Sequence, residues 1–170
     1  MAHAEISPFH IGVAAEAFAA GLFAQCGLDV SVQYGANQPE YDLAVVKGDK
    51  LLKVSVKGSQ KGSWGLTQSY LKDANYQAAA DAWLRRHKPR TVICLVQFKG
   101  VALGEAPRVY LATPKEIATR LKETAKGHGD TILYENHRWT ARAIGAGSVD
   151  RLPESWRFSL KRVEQLLDEA

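Results

Sequence analysis

The chain is poor in cysteine, and the two it has are not placed for chemistry. Cys26 closes an apolar helical stretch and Cys94 lies inside Thr91-Val92-Ile93-Cys94-Leu95-Val96. Both read as reduced core residues, which excludes a disulfide framework and favours a cytoplasmic setting. The five histidines, at positions 3, 10, 87, 128 and 137, form no zinc spacing with one another or with a cysteine. No apolar run reaches the length of a membrane span. The N-terminus lacks the basic start of a signal peptide, so no membrane partner is expected. No Gly-x-Ser-x-Gly elbow occurs. Gly145-Ala146-Gly147-Ser148 matches a phosphate loop only in composition, because no Gly-Lys-Ser follows.

Basic residues are absent from the first 46 positions, which carry five acids: Glu5, Glu16, Asp29, Glu40 and Asp42. All 22 Lys and Arg follow, with the other 13 acids. The formal net charge of +4 therefore divides into an acidic N-terminal segment and a basic body. A basic body suits a polyanionic partner, although scattered surface lysines give the same balance and no dense basic tract stands out. The length of 170 residues fits one domain, and 46% apolar residues can form a core without staples.

The element pattern is helix, three strands, helix, then strands and two further helices. Ser7-Pro8 opens a helix over 9 to about 25 that ends before Gly27. Its apolar residues cover nearly all faces, so the helix reads as buried or shared with a partner. Alternation predicts a strand from Asp29 to Tyr34, and Gly35 to Glu40 reads as a loop. Two strand-like runs, Tyr41 to Val46 and Lys50 to Lys57, are joined by a turn at Lys47-Gly48-Asp49-Lys50. Residues 58–65 have the Gly and Ser content of a mobile loop. A second helix is expected from Asp73 or Asn75 to His87, stopped by Pro89. Thr91 to Phe98 reads as a central strand, and Arg108 to Ala112 as another. Thr113 and Glu116 form a capping box for a helix over Pro114 to about Ala125. Thr131 to Tyr134 reads as an edge strand and Ser159 to Leu167 as a last helix. The expected fold is a single-domain α/β/α sandwich with a mixed central sheet, its core over about 9–112 and a helical extension over about 113–170.

The hairpin carries the chemistry. Asp42 lies near the start of one strand and Lys57 at the end of the next, so the turn can bring them together. A carboxylate that holds a hard cation and a lysine that orients water or steadies an anion are parts of a phosphodiester-cutting site. Glu16 is the only charged side chain of the first helix, and a buried carboxylate needs a cation or hydrogen bonds. Each residue also has an ordinary reading: Asp42 as a polar strand start, Lys57 as a strand-end lysine, Glu16 as a carboxylate paired at a helix edge. Ser59, Gln60 and Lys61 follow the lysine and are candidate contacts to a nucleic-acid backbone. Trp139, Arg142, Arg151, Trp156 and Arg157 mix basic and aromatic residues, but such a stretch more often packs a loop.

Helix, strand, Asp-bearing strand and Val54-Ser55-Val56-Lys57 in this order resemble the PD-(D/E)XK nuclease superfamily over about 60 residues. The likeness is to its restriction-endonuclease-like and Holliday-junction-resolvase-like members. The matching positions are Glu16, Asp42, Ser55 and Lys57. The resemblance implies a Mg²⁺-dependent endonuclease acting on DNA, with Mn²⁺ as an alternative metal. Asp42, Glu16 and the Val56 carbonyl would be the metal ligands, and a homodimer would suit duplex cleavage. Ser55 is the departure, because the family places Glu, Asp or Gln there and serine brings no negative charge. The alternative expectation is a degenerate nuclease-fold protein that binds nucleic acid or a protein partner, as an inhibitory or immunity-type subunit.

Overall fold

A computed structural model describes residues 6–33 and 40–170. The expected loop over 35–39, and the end of the first strand at Tyr34, lie outside the described residues. The elements are α1 (Pro8–Gln25), β1 (Asp29–Val32), β2 (Leu43–Lys47), β3 (Lys50–Ser59), β4 (Ser63–Gly65), α2 (Tyr76–Arg85), β5 (Thr91–Gln97), β6 (Arg108–Ala112), α3 (Pro114–Gly127), β7 (Ile132–Tyr134), β8 (Asn136–Arg138), β9 (Val149–Arg151) and α4 (Leu160–Asp168).

Five strands form one mixed sheet in the order β1-β2-β3-β5-β6. β3 and β5 are parallel, with Lys57 opposite Leu95, and the other pairs are antiparallel. The parallel pair requires a crossover, and α2 supplies it. The fold is therefore mixed α/β, with helices on both sheet faces. Alternation along the strands sends Leu43, Val45, Val54, Val56 and Cys94 to one face, where Ala15, Ala19 and Phe23 of α1 and Leu166 of α4 cover them. Ile93, Leu95, Tyr110 and Ala112 face the other way, against Ala80 and Trp83 of α2 and Ile117 and Leu121 of α3. β5 is buried along its whole length, in keeping with the apolar run Val92–Val96 at its centre.

The helix boundaries follow their caps. The Ser7 side chain accepts from the His10 N–H, and Thr113 and Glu116 make the reciprocal capping box of α3. Gly48 takes φ +64° in the β2–β3 turn, a conformation that glycine adopts without a Cβ penalty. The helical backbone of α3 breaks at Thr124, where the Asp150 carboxylate accepts the Ala125 N–H at 3.0 Å.

Three expectations change. Residues 58–65 are not a free loop: β3 continues through Ser59, and Ser63–Gly65 pairs with β7. Trp64 in that strand is buried and packs with Trp83 and Leu133, which outweighs the local glycine content. The region from 113 is not merely a helical extension. It adds β7, β8 and β9, and its helices α3 and α4 close opposite faces of the sheet. The first helix is buried along only one side, through Ile11, Ala15, Ala19 and Phe23, while Phe9 stays 74% exposed. Trp139 and Trp156 do pack inward: Trp156 is buried, and Trp139 donates Nε1–H to Asp150 at 2.5 Å.

Candidate active site at the β2–β3 edge

Asp42 immediately precedes β2 and is docked twice onto β3. Its N–H donates to the Val54 carbonyl at 2.8 Å, and its Oδ2 accepts the Val56 N–H at 2.6 Å. The register explains the docking. Leu43 faces Val54, so the next residue back comes to the β3 edge just where β2 stops pairing. Along an extended strand, residues two apart present their peptide groups to the same edge. The Val56 carbonyl therefore lies on the Asp42 side of β3, as the Val54 carbonyl does.

Glu16 lies on α1. Burial raises its carboxyl above the ordinary range, the Asp42 charge raises it further, and Lys57 partly opposes them. The charges of Asp42 and Lys57 thus both act on Glu16. Close packing under α1 permits this. A Cβ on Gly58 would stand 2.8 Å from Ile11 Cγ2 and 2.9 Å from the Ile11 carbonyl oxygen. The glycine lets the helix backbone seat directly on the strand that carries Lys57.

Lys57 is exposed at its head, while its carbonyl accepts Trp64 Nε1–H at 2.9 Å. Ser55 shares the sheet face of Lys57, is 5% exposed and lines a cavity of about 670 Å³ together with it. Among the described residues, no group of three or more His, Cys, Asp or Glu side chains is arranged around a common metal position. Asp42 and Glu16 remain the two carboxylates of the site. Two carboxylates and a backbone carbonyl are an all-oxygen donor set, which fits a hard divalent cation completed by water and substrate oxygens.

The expected nucleic-acid contacts divide. Ser59 is 8% exposed and its Oγ accepts the Lys61 N–H at 3.1 Å. Gln60 donates Nε2–H to the Ile6 carbonyl at 2.8 Å. These bonds hold the turn and tie it to the segment before α1. Lys61 alone of the three presents an exposed side chain.

Several neighbours were not read from the sequence. Gln97 is fully buried, and its Oε1 accepts the N–H groups of Gly62 and Lys99, holding the β3–β4 turn from β5. Glu40 accepts the Lys88 N–H at 2.8 Å and lines the cavity of Ser55 and Lys57. The run Arg85-Arg86-His87-Lys88-Pro89-Arg90, at and beyond the C-terminal end of α2, is a dense basic tract, contrary to the expectation that none stands out. His87 in this run is half-buried; desolvation lowers its pKa, which favours the neutral ring.

Among the described residues, no helix is long and apolar enough to cross a membrane. No protein-family model matches this sequence, and a comparison with curated proteins returns no match.

Proposed function

We propose that the protein is a metal-dependent nuclease that hydrolyses phosphodiester bonds in DNA, built in the manner of the PD-(D/E)XK superfamily. What supports the reading is the Asp42 carboxylate docked on the Val56 N–H at 2.6 Å, next to Lys57 in the chain, with the charges of Asp42 and Lys57 both acting on Glu16 of α1. Asp42, Glu16 and the Val56 carbonyl would hold Mg²⁺ or Mn²⁺. When bound, the metal supplies a Lewis acid and a more acidic water.

The chain's own residues have distinct parts. Asp42 is fixed by the Val56 N–H through one oxygen, which leaves the other available to a cation. Glu16 lies in a partly desolvated place, and a neighbouring cation favours its ionised form. Lys57 steadies charge that develops on the phosphoryl oxygens. Trp64 fixes the Lys57 backbone and so the origin of that side chain. Lys61 contacts the substrate backbone on the α1 side of the lysine. A cytoplasmic setting belongs to the proposal, since both cysteines are free thiols. So does a two-fold dimer for cutting both strands, for which exposed Phe9 and Val13 of α1 offer an apolar face.

A second reading is favoured by one observation, the buried Ser55 where the superfamily has an acid. On that reading the chain binds nucleic acid or a protein partner without cutting. Titration with Mg²⁺ and Mn²⁺, wild type beside Asp42→Asn, separates the two. Metal binding lost in the variant, with cleavage of duplex, single-stranded or branched DNA by the wild type, supports the nuclease. Absence of metal binding, both alone and with DNA present, supports the non-catalytic reading.

A further inference from the structure

Lys57 stands where two cavities meet. One, of about 570 Å³, extends from Gly12 on α1 past Gly58 to Lys61. The other, of about 670 Å³, extends from Ser55 past Tyr70 to Arg86 and Lys88. Lys57, Gly65 and Leu66 belong to the walls of both. A chain-like ligand longer than either cavity can therefore occupy both and cross Lys57 on the way.

The second cavity adds two cations to Lys57. Arg86, His87 and Lys88 line it, and its carboxylate, Glu40, already accepts the Lys88 N–H. Several cations elsewhere have acids against them. Arg108 pairs with Glu135, Arg120 with Asp150, Arg162 with Glu116, Lys47 with Glu164 and Lys122 with Asp81. Among the described residues, Arg86 and Lys88 make no ion pair within 4 Å. Two exposed, unneutralised cations in one cavity wall attract a polyanion. Tyr70, half-buried and packed against the core, adds an aromatic ring to the same wall.

We propose that this cavity is a phosphate-binding track for one strand of nucleic acid, with Arg86 and Lys88 each contacting the backbone on the side of Lys57 opposite Lys61. The inference rests on the nucleic-acid reading above and extends it to residues that lie outside the metal site. Glu40 acts as a positioning residue by holding the Lys88 backbone.

Binding measured without cleavage tests it. Fluorescence anisotropy of a short labelled single strand, its duplex and the matching RNA is recorded in EDTA over about 50–200 mM salt, where phosphate contacts are most visible. Arg86→Ala/Lys88→Ala is compared with Lys161→Ala/Arg138→Ala, which removes the same charge from exposed positions outside both cavities. The track variant is expected to bind at least about tenfold more weakly, with a salt slope reduced by about 1.5, as two lost phosphate contacts require. The control pair should lose less than about threefold by the same screening argument. Equal losses in the two variants, unchanged binding in the track variant, or equal competition by polyglutamate would overturn the track. Each of those outcomes leaves the metal titration of Asp42 standing as the separate test of the nuclease reading. Failure of the wild type to bind any of the three nucleic acids would overturn the track and the substrate assignment together.

Discussion

The Asp42 carboxylate accepts the Val56 N–H at 2.6 Å, so one oxygen of the proposed metal ligand is also a structural bond of the sheet edge. Asp42→Ala removes both roles. It leaves a buried N–H without a partner, a loss of about 1–3 kcal/mol. Asp42→Asn retains an acceptor oxygen for Val56 and loses the charge. Thermal unfolding should show the Asn variant close to wild type and the Ala variant clearly lower. Calorimetric titration should show metal binding lost in both. Tight binding by the Asn variant would remove Asp42 from the ligand set.

Glu16 sets a pH dependence with a definite sign. Its folded pKa is raised, first by burial and then by Asp42. A raised carboxyl pKa means that the folded state holds the proton more tightly than the unfolded chain. The contribution to stability is then fully present below the unfolded value and is lost as pH rises through the folded one. Glu16→Gln should therefore unfold at a higher temperature than wild type near neutral pH, with the difference shrinking at low pH. Metal affinity should run the other way in the wild type, rising as pH passes upward through the Glu16 pKa, because the cation needs the ionised form. A metal affinity that is flat from pH 4 to 8 would exclude Glu16 as a ligand.

Gly58 sets the distance between α1 and β3. Gly58→Val places a side chain against the Ile11 backbone, which cannot yield as a flexible side chain would. Overpacking of this kind costs about 1–3 kcal/mol. Because the helix that moves carries Glu16, metal affinity should fall with stability. Gly48→Asn, in the β2–β3 turn where left-handed backbone is needed, should be tolerated with neither loss. Equal effects of the two substitutions would mean that α1 seating does not control the site.

Arg162 is the internal tie of the C-terminal region. It is 4% exposed and donates to the Leu111 carbonyl and to both carboxylate oxygens of Glu116, the capping-box acid of α3. Arg162→Ala should destabilise by about 3 kcal/mol, the low end for a broken buried pair, because Glu116 keeps 35% exposure. Chemical denaturation measures it. A change below about 1 kcal/mol would assign the pair the value of a surface bridge.

Ser55→Glu asks whether the site is complete but for one charge. Ser55 opens onto a cavity that it shares with Lys57, so a longer acid has room and a cation beside it. The nuclease reading expects tighter Mg²⁺ binding in this variant than in wild type. Unchanged metal binding in a folded Ser55→Glu protein would favour the non-catalytic reading.

The local elements were legible because their signals are local. Ser7-Pro8 and Thr113-x-x-Glu116 cap helices through side chains within one turn, and the β2–β3 turn is set by Gly48. The nearly continuous apolar run over Thr91–Phe98 identified the buried strand, and with it the mixed α/β class. The candidate trio was legible for a similar reason: an acid, a spacer and a lysine sit at fixed offsets on a hairpin, and Glu16 is the lone charge of an apolar helix. Tertiary structure decided what no offset encodes. Trp64 found Trp83 and Leu133, and that burial turned a glycine-rich stretch into strand β4. Ser59 accepts the Lys61 N–H and Gln60 donates to the Ile6 carbonyl, contacts that depend on how the turn sits against the segment before α1. Arg86 and Lys88 look in sequence like the end of a helix. Only the crossover from β3 through α2 to β5 carries them to the cavity of Lys57, since a parallel strand pair must be joined across the face of its sheet.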